Sequence, residues 1–206
     1  MLLLPGPITH LKVACEFFNS RSDGFLSAPQ LYLGSVSPDS VNIYGHAPKS
    51  ERWPAHLRDA DLDIWLQKAV SFYNENSEFS DQSFLCGYII HIVTDIVWDR
   101  CFDKKLFLLM AENGVSKEHF KEERWQEIYG FEDRQRSMPW AAEVLAELSA
   151  STPRSLGTVK SEMLAVWRDM IISGVGEKGR PPRYLSDEFM DEFVRKCLLC
   201  LKNIIK

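Results

Sequence analysis

The chain has 206 residues, 45% hydrophobic and 26% charged, enough to bury a core without disulfide or metal staples. Its net charge of −5 offers no basic face, which argues against a nucleic-acid partner. No apolar run approaches the roughly 18–20 residues of a membrane span, so no transmembrane segment is expected.

In chain order, Pro5 and Pro7 precede ITHLKVACEFFN, whose apolar residues recur at helical spacing, with Pro7 at an early helical position. The opening MLLLPGPITH has an apolar patch but no basic segment and does not read as a signal peptide. Five cysteines at irregular positions suit a reducing compartment, so a cytoplasmic protein is expected. Residues 20–30 are polar and loop-like. A short helical turn is expected near 29–35, then a long loop to about residue 55, and loops of that length are usually functional. This stretch carries Asp39, His46 and His56; Tyr44, His46 and Trp53 are candidates for a substrate mouth.

Residues 57–76 place Leu62, Trp65, Leu66, Ala69, Val70 and Tyr73 on one helical stripe. Ser80 or Asp81 then caps a helix from Phe84 to Trp98 that is apolar nearly all round, the pattern of a buried helix. KKLFLLMAEN continues as a helix to near Gly114, and Ser116 is placed to cap a further turn through His119 and Glu123. Helices are expected from Met138 and over TVKSEMLAVWRDMIISG, with GVGEKGRPPRY as a loop. Ser186 caps the last helix, and CLLC at 197–200 within it reads as two small hydrophobes on a buried face. No segment alternates as a strand does. The expected fold class is all-α, a single domain over residues 1–206 with about seven helices around one core.

One pair stands out. GYIIHIVTDIVWDR, residues 87–100, is almost wholly apolar, yet it holds His91 and Asp95 four residues apart and therefore on one helix face. Asp99 and Asp103 extend that column. A carboxylate in apolar surroundings is costly unless it is paired or binds a metal. His10, Asp39 and His56 are further candidates, and together the five make an imidazole and carboxylate set that suits zinc first, with manganese or iron next. The plainer reading of His91 and Asp95 is a hydrogen bond within one helix.

The segments PGPITHL, LGSVSPDSV, HL at 56–57 and GYIIHIVTDIVW resemble, in order and spacing, those of the zinc-dependent phospholipase C family and its cytosolic bacterial relatives. The resemblance covers roughly the first 100 residues. It implies an all-α, phospholipase C/P1 nuclease-like bundle with a zinc cluster of one to three ions. It implies that Asp39, His56, His91 and Asp95 form the main site, that Asp95 bridges to a second metal, and that His10 belongs to another. Asp39 is also implied as the group that assists the attacking water. His119 and Glu123 match the family's His-x-x-x-Glu pair of ligands. Where the family has a further histidine, this chain has WDRCFD, so one or two metals are expected. The implied activity is hydrolysis of a phosphate ester in a small-molecule substrate. Two other readings stay open: a non-catalytic helical protein retaining one structural metal site, and a helical interaction module without metal. An HD-type phosphohydrolase is disfavoured, because the chain contains no adjacent His-Asp pair.

Overall fold

A computed structural model describes residues 5–21, 24–175 and 178–205. The apolar opening at residues 1–4, and parts of the expected loops at 22–23 and 176–177, lie outside the described residues. The described chain is helical, and its only bridge-type pairing is one isolated contact between Leu156 and Val159.

The α-helices are α1 (Pro7–Asn19), α2 (Ala28–Val36), α3 (Lys49–Ala55), α4 (Leu62–Glu75), α5 (Gln82–Val97), α6 (Asp103–Glu112), α7 (Phe120–Arg136), α8 (Pro139–Ser149), α9 (Ser161–Ser173) and α10 (Asp187–Leu201). These are more numerous and shorter than the seven expected. The loop expected up to residue 55 contains a 3-10 turn, Ser37–Asn42, and the short helix α3. Both are too short to show a helical period, and Pro54 inside α3 obscures the pattern further.

Helix α5 is the axis of the fold. Every residue from Ser83 to Val97 is buried. Asp81 starts it, its carboxylate accepting from the Phe84 amide at 3.0 Å. Helices α1, α2, α4 and α10 pack against it. The closest approach is to α2, where Gly34 and Gly87 face each other. A Cβ on Gly34 would collide with the Phe84 carbonyl oxygen, and one on Gly87 with the Leu31 carbonyl oxygen. Only glycine permits backbones this close. The hydrophobic core runs without a break from Ile8 on α1 to Ile205 beyond α10.

After Val97 the helix widens into a π-helical turn, Trp98–Phe102, before α6 begins. Such a turn carries one residue more per hydrogen-bonded ring and rotates the residues after it out of phase with those before. The acidic column expected from Asp95 through Asp99 and Asp103 is therefore not maintained. Asp99 pairs with Arg58 at 2.6 Å and Asp103 with Arg124 at 2.5 Å.

Where the sequence suggests only a turn through His119 and Glu123, helix α7 runs for 17 residues and is mostly polar. Some of its buried positions are charged: the Glu127 carboxylate accepts from the Arg183, Tyr184 and Leu185 amides at 2.8, 2.7 and 3.3 Å. Gly130 lets the loop at Gly179 and Arg180 lie directly on the helix. A helix held by backbone-to-carboxylate bonds shows no apolar stripe.

Candidate metal centre

Four separate elements deliver the candidate ligands. His10 comes from α1, Asp39 from the 3-10 turn, His56 from the end of α3, and His91 with Asp95 from α5. His10, His56 and His91 are at most 1% exposed, as is Asp95. Two overlapping groups of ligand atoms each lie within 4.8 Å of one another: His10, His91 and Asp95, and Asp39, His56 and His91. Asp95 is the hub. Its Oδ1 lies 3.5 Å from His10 Nε2, and its Oδ2 lies 3.7 Å from His91 Nε2 and 3.9 Å from His56 Nε2.

The histidines of α3 and α5 are held from behind. His91 Nδ1 donates to the Ser35 carbonyl at 2.9 Å, a bond made possible by the Gly34–Gly87 crossing. His56 Nδ1 donates to the Arg52 carbonyl at 2.8 Å. A carbonyl partner at Nδ1 fixes the tautomer and leaves Nε2 as a bare lone pair, ready for a metal. The end of α3 is itself anchored. Tyr88 Oη donates to the Ala55 carbonyl at 2.6 Å, and Trp65 Nε1 to the His56 carbonyl at 2.7 Å. Next to His56, Leu57 has φ +50°, a left-handed conformation that costs a non-glycine residue about 1–3 kcal/mol.

These atoms are left wanting a cation. His91 Nε2, His10 Nε2 and both Asp95 oxygens are buried without a hydrogen-bond partner. His56 Nε2 faces Asp39 Oδ1 at 3.2 Å, a hydrogen bond only when the ring carries a proton on both nitrogens. A divalent cation satisfies all of them at once, so this donor set fits the group. The electrostatics agree. Burial lowers His10 to about 4, and burial with the neighbouring His10 lowers His91 well below its ordinary value. Burial, then Asp39 and Asp99, raises Asp95 far above the usual carboxylate range. Burial works the same way on Asp39, but the His56 contact and the surrounding imidazoles hold its carboxyl low.

Asp39 is the least buried of the five, with its side chain 13% exposed. It lines a cavity of about 430 Å³ whose walls include Asn42, His46, Arg52, Tyr129, Glu132 and Trp167. Of the aromatic mouth expected from the loop, His46 lines this cavity, Tyr44 is 91% exposed, and Trp53 lies under Lys49.

His119 and Glu123, expected as ligands, are not brought to the cluster. His119 is exposed and its Nδ1 meets Ser116 Oγ at 2.9 Å. Glu123 is engaged by Arg180 and, at 2.6 Å, by Arg183. The two residues lie at the exposed start of α7, where their spacing reflects the density of charged residues.

Sequence reasoning misses one residue beside the centre. Glu132 reaches from α7 to the start of α1, where it accepts from the Ile8 amide at 2.6 Å, the Thr9 amide at 2.9 Å and Thr9 Oγ1 at 2.5 Å. Burial raises it to about 7 despite these donors. No local motif marks it, since its partners are about 124 positions away.

An all-α scaffold that converges three histidines and two aspartates on one buried point defines a candidate metal-binding protein. The chain matches the family model described as zinc dependent phospholipase C over residues 8–171. It belongs to that family. No curated protein and no solved structure matches the chain.

Proposed function

We propose that the protein is a zinc-dependent phosphoesterase that cleaves a small phosphate ester with water. One observation carries this reading: buried, unpartnered Nε2 and carboxylate atoms converge beside a cavity onto which, of the five candidate ligands, only Asp39 opens. In it, Asp39, His56, His91 and Asp95 would hold one ion, and Asp95 with His10 would hold a second. Manganese or iron would suit the same donors. Bound zinc supplies Lewis acidity and a nucleophilic water near neutral pH.

The protein's own residues do the rest. The Ser35 and Arg52 carbonyls hold His91 and His56 in one tautomer, so that no reorientation is needed on binding. Asp39 orients the attacking water and takes its proton, a role that its position on the cavity wall allows. Arg52 brings positive charge to the same wall, complementary to phosphoryl oxygens. A diester would yield a phosphomonoester and an alcohol. The five cysteines stand at irregular positions, a pattern that supports a reducing compartment. Among the described residues no helix is long and apolar enough to cross a membrane.

Elemental mass spectrometry on untagged protein purified without chelator, beside Asp95→Ala, tests the metal. Hydrolysis of bis(p-nitrophenyl) phosphate by the same samples tests the chemistry. One or two zinc per chain, lost with the activity in the variant, is the expected result. A metal-free wild type that leaves the diester intact overturns the reading.

A further inference from the structure

Helix α1 carries His10 but cannot secure its own start. Its N-cap is Gly6, with no side-chain cap and no acidic residue in the first turn. The first turn of a helix presents amides without intrahelical partners and a partial positive charge. Glu132 satisfies both from another helix: its two oxygens take the Ile8 and Thr9 amides and the Thr9 hydroxyl. Gly6 is pressed against the same carboxyl, and a Cβ there would come within 2.7 Å of Glu132 Cδ. The next residue after Thr9 is His10, buried to 1% and aimed at Asp95. His56 and His91 are tied to carbonyls of other turns and helices, whereas neither ring nitrogen of His10 makes a hydrogen bond of normal geometry. The backbone group that acts on its ring is that of Pro5, just ahead of the same helix. Its placement therefore depends on where α1 begins.

We infer that Glu132 is a positioning residue for the metal centre: by capping α1 from α7, it sets the height and rotation of His10 and so governs the ion that His10 contacts. This role rests on the proposed metal centre. Glu132 is not itself a ligand. Its two oxygens are occupied by three donors at the start of α1, and it belongs to neither group of converging ligand atoms.

The test is zinc titration of the full chain against a competing chelator, with stoichiometry from elemental analysis and folding checked by circular dichroism. His10→Ala first identifies the ion that depends on His10. Glu132→Ala is expected to weaken that same ion by roughly ten- to hundredfold, as losses behind a ligand typically do, and to leave any other ion within about twofold. Glu132→Gln, which keeps one acceptor oxygen, is expected to fall between. A purely structural role would lower every affinity together or none. Should Glu132→Ala fail to fold, Glu132→Gln and Gly6→Ala decide, the latter displacing the carboxyl from outside. Unchanged affinities, equal losses at every ion, or no ion dependent on His10 overturn the inference. A wild type that binds no zinc removes the metal centre itself and is thereby distinguishable.

Discussion

The rings of His10 and His91 lie stacked, with centroids 3.8 Å apart and planes 11° from parallel. They come from different helices, and neither Nε2 has a hydrogen-bond partner. Two parallel imidazoles at this distance cannot both carry a proton cheaply. In the metal-free protein, burial disfavours a charge on His10 and lowers it to about 4, against an ordinary value of 6.5, with His56 adding to the effect. A histidine lowered on folding binds its proton more readily in the unfolded chain, so its contribution to stability is lost as pH falls from about 6.5 to about 4. Glu132, raised to about 7, acts with the opposite sign over part of that range. The comparison is thus between wild type and His10→Gln. Urea unfolding of metal-free protein at pH 7 and pH 4.5 should show the wild type losing on the order of 2 kcal/mol more than the variant. Equal losses would contradict this.

Gly34→Ala and Gly87→Ala should each cost at least about 3 kcal/mol, because the new methyl meets backbone rather than a movable side chain. The same displacement should pull Ser35 from His91 and weaken zinc binding. Thermal unfolding with and without chelator measures both. A variant as stable as wild type would show that the crossing tolerates a methyl group.

Asp39→Asn should lower the turnover of a phosphodiester by roughly 10²–10⁴-fold, the usual value of a positioned base. If Asp39 also ligates, zinc affinity falls with it; turnover unaffected at saturating zinc would remove Asp39 from the chemistry.

His119→Ala should leave zinc content and affinity unchanged, since His119 is exposed and tied to Ser116. Glu123→Gln should do the same while loosening the loop at Arg180 and Arg183, at a cost below about 1 kcal/mol for partly exposed pairs. Elemental analysis of both variants checks this, and loss of an ion in either would restore the pair as ligands.

The helical class is legible in the sequence because α1, α4, α5 and α10 each bury a recognisable apolar face. The centre is legible mainly through α5, where a histidine and an aspartate interrupt an otherwise apolar run. Asp39 and His56 can be named from the sequence but not joined, because the turn and the short helix that carry them have no period. Helix α7 is hidden for a different reason. Its buried Glu127 and half-buried Glu132 accept from amides far away in sequence, and such partners leave no local trace. His119 and Glu123 show the converse: the spacing is present, but the pair is engaged by Ser116, Arg180 and Arg183 and is not brought to the buried cluster.

The widened turn at Trp98–Phe102 works as a divider. Upstream, Asp95 faces an interior where, among the described residues, no arginine pairs with it; within the turn and just after it, Asp99 and Asp103 are paired with Arg58 and Arg124. Three acids written at one interval are thereby sorted into two trades, one in the proposed metal centre and one for cations the chain already owns. Deleting a single residue between Asp99 and Asp103 would turn Asp103 away from Arg124 without changing any acid.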